Sequence, residues 1–167
     1  MNKKLILFSI LLFILCSCEE SSEKKFDRYM PGTYESYALV KYKSNDSLKV
    51  EYIPESWGED GATYPVEIVK SGNESFTLYF DYTDPRLPDQ ITVEIIEHVE
   101  QTDPSGFQAY VKLLGDSGYQ LLPPANSNYA SSSTFSIVYH YGKVYYYINM
   151  RKESTNDTLY CGGYRDF

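Results

Sequence analysis

From Thr33 onward the chain alternates apolar and polar residues with a period of two, and helical spacing is nowhere sustained. Such alternation suits strands with one buried face, because successive side chains point to opposite sides of a sheet. Leu48, Val50 and Tyr52 oppose Lys49 and Glu51, and the turn residues Ser44-Asn45-Asp46-Ser47 join them to residues 34–42 as a hairpin. Tyr64, Val66 and Ile68, with Pro65 marking an edge or a strand start, turn at Ser71-Gly72-Asn73-Glu74 into Phe76, Leu78, Phe80 and Tyr82. Residues 84–89 break the pattern before Ile91, Val93 and Ile95, and Thr102-Asp103-Pro104-Ser105-Gly106 leads into Phe107, Ala109, Val111 and Leu113. A short strand at 119–122 precedes the longest loop, 123–133. Phe135, Ile137, Tyr139 and Tyr141 then turn at Gly142-Lys143 into Val144, Tyr146, Ile148 and Met150, and a last strand covers 158–164. Nine or ten strands about ten residues apart predict an all-β fold, an antiparallel up-and-down barrel of about 8–10 strands with a sandwich as the alternative. Parallel α/β is excluded, and hairpin connectivity favours the barrel because closure removes exposed edges.

The start of the chain is of a different kind. Lys3 and Lys4 precede an apolar stretch from Leu5 to Leu15 broken only by Ser9, a three-part secretory signal with Ser17 before the cleavage point. A membrane span needs about 20 apolar residues, and Glu19, Glu20, Glu23, Lys24 and Lys25 cut this one short. Leu15-Cys16-Ser17-Cys18 resembles a bacterial lipobox, with Cys at the second position as its one departure; the resemblance implies cleavage before Cys18 and diacylglycerol on its sulfur. The chain then divides into a lipoprotein signal peptide (1–17), the lipidated Cys18 with a polar tether (18–25) and a β-domain (26–167). Acidic residues directly after the cysteine resemble the export signals of Bacteroidota surface lipoproteins. The implied address is the cell envelope, lipid-anchored at the outer membrane on its periplasmic face or at the cell surface.

Removing residues 1–17 leaves 150 residues with 13 Lys+Arg against 23 Asp+Glu, a net charge of −10. That balance argues against nucleic acid and against anionic membrane surfaces as partners, because both reward clustered Lys and Arg. Cys161 then has no disulfide partner, and between Tyr160 and Gly162-Gly163 it reads as a half-buried strand residue rather than a nucleophile.

Pro31-Gly32-Thr33-Tyr34 resembles the opening of lipocalin-like (calycin) domains, Gly-x-aromatic at the start of the first strand, with Tyr34 where Trp is usual. The resemblance implies a β-barrel whose floor the aromatic closes, with a basic residue near the last strand packed across it; Arg151 and Arg165 are the candidates. Calycin-like lipoproteins of Bacteroidota share the lipobox together with this opening.

Tyrosine is the compositional oddity, at 18 residues. Tyr145, Tyr146 and Tyr147 are consecutive, so phenols must lie on both faces of their strand. Rings with apolar faces and polar tips suit a ligand or glycan surface, with Trp57, Tyr139, Tyr141 and Tyr146 as candidate contacts. Tyrosine is also an ordinary strand former.

Enzyme chemistry finds little support. His98 and His140 stand on separate strands without a nucleophile motif, and two distant histidines do not make a zinc site. Asp81, Asp84 and Asp89 surround one Pro-rich loop but lack the glycine and terminal glutamate of an EF-hand. No catalytic residue, metal or cofactor is expected. Asp46-Ser47-Leu48 and Asp157-Thr158-Leu159 resemble the Asp-Ser/Thr-apolar acceptor of Bacteroidota O-glycosylation, which would modify Ser47 and Thr158. The expected function is a non-catalytic, lipid-anchored binding module for a small apolar or glycan ligand; the alternative is an accessory interaction protein of an envelope complex.

Overall fold

The computed structural model describes residues 21–57, 61–99, 106–122 and 133–167. Cys18 and the signal region lie outside them. The described chain forms one helix and ten strands: α1 (Ser22–Tyr29), β1 (Gly32–Ser44), β2 (Ser47–Ile53), β3 (Tyr64–Lys70), β4 (Ser75–Phe80), β5 (Gln90–Val99), β6 (Gly106–Leu114), β7 (Tyr119–Leu121), β8 (Ser133–His140), β9 (Lys143–Lys152) and β10 (Thr158–Asp166). All strand pairs are antiparallel, and the order β1-β3-β4-β5-β6-β8-β9-β10 returns to β1. The result is a closed eight-stranded barrel. β2 and β7 are additions: β2 pairs the outer half of β1, and β7 pairs the far end of β9.

Alternation accounts for the core. Tyr34, Ser36, Ala38 and Val40 of β1 are all buried, as are Tyr64, Val66 and Ile68 of β3 and Val144, Tyr146, Ile148 and Met150 of β9. The pairing register shifts at a bulge between Ile95 and Glu97 opposite β6, which leaves Ile96 exposed. Turn geometry follows local chemistry: Asn45 and Asp46 take the left-handed conformation at the first hairpin. The β8–β9 turn is Tyr141-Gly142, both with positive φ, one residue earlier than the sequence suggests. Lys143 therefore opens β9.

The helix begins at Ser22, inside the segment read as a polar tether (18–25), and of that segment Ser21, Glu23 and Lys24 are exposed. Ser21 caps it by accepting from the Lys24 amide, Glu23 lies in its first turn and Arg28 in its last. Phe26 and Met30, one helical turn apart, are each 1% exposed and close one end of the barrel. There the Tyr34 hydroxyl donates to the carbonyls of Met30 (2.8 Å) and Tyr29 (3.0 Å), and the Arg165 guanidinium donates to the same Tyr29 carbonyl (3.0 Å). Of the two basic candidates, Arg165 is the one across Tyr34, 5.5 Å from its ring centroid. Arg151 is exposed on β9 opposite Thr158. Gly32 is required here, since a Cβ would stand 2.8 Å from Arg165 Nε. Among the described residues no helix is long and apolar enough to cross a membrane.

Candidate functional site

The lumen, where a barrel of this kind has room for a ligand, is filled by side chains. Tyr34, Tyr64, Tyr146, Phe76 and Phe135 are among the largest fully buried residues. Tyr146 is therefore corrected from a ligand contact to a core residue: its hydroxyl donates to Ser36 Oγ at 3.0 Å, and its ring meets Tyr34 edge-on at 5.0 Å. Ser36 Oγ in turn donates to the Tyr34 carbonyl at 3.3 Å. Burial first, and the field of Cys161 next, push the Tyr146 phenol well above its ordinary pKa. Cys161 is buried in the same core, and desolvation pushes its thiol up to about 12. It is an inert core thiol, since the thiolate is the reactive form.

A concave site lies instead on the outer wall, in a depression of about 420 Å³ lined by Tyr37, Leu39, Tyr52, Trp57, Tyr147, Asn149, Tyr160, Cys161 and Gly162. Strand register builds it. Tyr37, Gly162 and Tyr147 lie side by side across β1, β10 and β9, and the next outward row is Tyr52, Leu39, Tyr160 and Asn149 across β2, β1, β10 and β9. The chain leaves β2 through a cis Ile53–Pro54 bond, and the Trp57 amide donates to the Pro54 carbonyl at 3.0 Å. That turn lays the Trp57 ring on Tyr37 at 4.2 Å and 17°, with Tyr52 at 4.8 Å. Lys41 sits 4.7 Å over the outer ring of Tyr160.

Glycine makes the dip. A Cβ at Gly162 would stand 3.1 Å from Tyr147 Cδ1 and 3.4 Å from the Tyr37 hydroxyl, so its absence leaves a floor between two aromatic walls. Partial burial raises the Tyr37 and Tyr147 phenols above their ordinary pKa. Their hydroxyls stay protonated at neutral pH and can both donate and accept. Apolar ring faces, phenol tips and one amide side chain can cover the C–H face of a sugar ring and bond its hydroxyls.

A second depression, about 1030 Å³, opens at the barrel rim opposite α1, where Tyr82, Asp84, Leu87, Tyr119 and Lys152 contribute to its wall. Its loop is tied down. Arg86 donates to Asp84 Oδ2 (2.8 Å) and Glu51 Oε2 (2.6 Å), the Tyr42 hydroxyl donates to Glu51, and the Tyr119 hydroxyl donates to the Arg86 carbonyl at 3.0 Å. Asp84 lies below the ordinary carboxylate range because Arg86 bonds it, and Glu51 does so because Tyr42 and then Arg86 bond it. A depressed carboxylate stabilises the fold above its unfolded pKa and loses that contribution as pH falls through the lower folded value. The rim loop is thus expected to loosen only below about pH 4. Hydrogen exchange of residues 81–89 should be flat between pH 5 and 8, after correction for the intrinsic rate, and rise on acidification.

The remaining sequence candidates are scattered. Tyr139 and Tyr141 belong to the α1 end, and Tyr141 is 91% exposed at its turn. Ser47 is exposed at the start of β2, whereas Thr158 is half-buried between Lys41 and Arg151. His98 has Nε2 3.5 Å from Glu74 Oε2 and its ring 5.3 Å from Phe26, outside both depressions. Among the described residues no group of three His, Cys, Asp or Glu could hold a metal ion. Of the four aromatic candidates, only Trp57 is in the groove. Tyr37, Leu39, Tyr52, Tyr147, Asn149, Tyr160, Cys161 and Gly162 are the members that sequence reasoning missed.

No protein-family model matches the chain, and no curated protein does. Among solved structures, the vaccine antigen transferrin-binding protein B from Haemophilus parasuis aligns with a TM-score of 0.35 and 16% identity over 81% of this chain and 26% of that one. A protein of unknown function from Bacteroides ovatus aligns with a TM-score of 0.36 and 11% identity over 80% and 40%. The chain spans well under half the length of either.

Proposed function

We propose that this chain is a lipid-anchored envelope protein whose barrel is a non-catalytic glycan-binding module, with the outer-wall groove as its site. The observation that carries the reading is the register that sets Tyr37, Gly162 and Tyr147 in one row and Tyr52, Leu39, Tyr160 and Asn149 in the next, with Trp57 closing the side. An apolar ligand inside the barrel is not part of the proposal, because the lumen is occupied. A role as an accessory interaction protein is the second reading, favoured by Leu48 and Val50, 67% and 50% exposed on the added strand β2.

The test is calorimetric titration with linear glucose, mannose and N-acetylglucosamine oligosaccharides. At least one series should bind, and Trp57→Ala should weaken it about tenfold or more, equivalent to about 1.4 kcal/mol. Loss of Trp57 removes one wall of the groove while leaving the barrel core intact. Absence of binding in every series, or binding indifferent to Trp57→Ala, contradicts the proposal.

A further inference from the structure

The end of the barrel closed by α1 carries a surface that the groove does not use. Tyr29, Tyr139 and Phe167 form one ring cluster, with Phe167 5.0 Å from Tyr29 and 5.8 Å from Tyr139. Tyr139, Phe167 and Tyr141 are 37%, 58% and 91% exposed. The Phe167 amide donates to the Gly142 carbonyl at 2.9 Å, which fastens this residue to the turn that presents Tyr141. Cations surround the rings: Arg28 lies 5.3 Å over Tyr29 and 6.0 Å over Phe167, Lys25 lies 4.9 Å over Phe107, and Lys24 is exposed on the same helix. Two of the nearby acids are already bridged, Asp27 by Lys70 and Asp166 by Lys143. The chain as a whole is acidic and Glu23 is exposed in the first turn of the same helix, but this end joins exposed aromatics to Lys24, Lys25 and Arg28.

The position of Cys18 identifies what meets this surface. It stands three residues before the helix cap Ser21, a reach of about 10 Å at full extension. A lipid on that sulfur therefore holds the α1 end, rather than the rim, against the bilayer. We infer that this end is a membrane seat: Tyr139, Tyr141 and Phe167 enter the headgroup zone of the bilayer that takes the Cys18 lipid, and Lys24, Lys25 and Arg28 face its phosphates. Amphipathic rings favour that zone, and juxtamembrane cations are drawn to anionic lipid. Seating stands the barrel on its closed end. Trp57 packs against Tyr37, five residues along β1 from Gly32, roughly 17 Å along the strand at its usual rise, so the groove faces solvent beside the membrane. The inference rests on the lipid anchor in the proposed function, and not on glycan binding.

The experiment uses the full chain, expressed with its lipid and reconstituted into phosphatidylcholine–phosphatidylglycerol vesicles with or without brominated acyl chains. Trp57 is the sole tryptophan and reports the wall. Tyr141→Trp in a Trp57→Phe background reports the seat. Both proteins are expected to float with the vesicles. The Tyr141→Trp emission should lose at least half its intensity in brominated lipid, while Trp57 in the wild type keeps its own. Flotation with an unquenched Tyr141→Trp signal, or with Trp57 quenched, overturns the seat and leaves the anchor standing. Failure of both proteins to float overturns the anchor and the seat with it.

Discussion

Tyr146→Ala is expected to lower stability by about 3–5 kcal/mol, the range for removing a large ring from a packed core. The residue is fully buried between Tyr34 and Phe135, with ring centroids 5.0 and 6.0 Å away, and strands on both sides are locked in the barrel ladder. A void there cannot collapse cheaply. Tyr146→Phe separates ring from hydroxyl: it removes one hydrogen bond but leaves Ser36 Oγ its Tyr34 carbonyl acceptor. Its cost should be about 1 kcal/mol. Urea unfolding of the two variants measures both, and equal losses would mean that the ring does not carry the core.

Gly163→Ala should also be damaging, though less so, for the opposite reason. A Cβ at this position would stand 2.4 Å from Ser36 Oγ, 2.6 Å from Tyr146 Cε1 and 3.0 Å from the backbone carbonyl of Glu35. One side chain can rotate away from such a contact, but a ring fixed in the core and a strand carbonyl cannot. Overpacking of this kind costs about 1–3 kcal/mol. Gly162→Ala is the neighbouring control, with nearest approaches of 3.1 to 3.4 Å, all to side-chain atoms at the groove. It should lose much less. Thermal unfolding ranks the two, and a larger loss at Gly162 would contradict the assignment of inner and outer faces.

That pair explains what was legible in the chain. Tyr145-Tyr146-Tyr147 must divide between two faces, and Gly162-Gly163 must do the same; the structure pairs Gly162 with Tyr147 outside and Gly163 with Tyr146 inside. Local alternation revealed the division of the tyrosines but could not say which faced in. The strands and their turns were readable because each rests on residues close in sequence. The helix was not. Its apolar positions, Phe26, Tyr29 and Met30, stand among five charges, too few to show a period until Phe26 and Met30 meet the barrel end.

The groove was illegible for a different reason. Its members come from β1, β2, β9, β10 and the segment after β2, and only the register of four strands brings them together. Trp57 was singled out for its chemistry, and its stacking partner Tyr37 was hidden within an ordinary strand pattern. Choosing Arg165 over Arg151 likewise required knowing which end of β10 lies across Tyr34. Tyr146 was misread because a tyrosine excess does not distinguish a wet face from a polar contact inside the core.

Trp57 makes the central claim directly measurable, since the sole tryptophan of the chain forms a wall of the groove. Its emission should shift saturably as a binding oligosaccharide is added, with the midpoint matching calorimetry. Tyr160→Ala, which removes a ring from the opposite part of the groove and keeps Trp57, should abolish that response. Oligosaccharide binding seen by heat while Trp57 emission stays constant would place the site elsewhere and contradict this account.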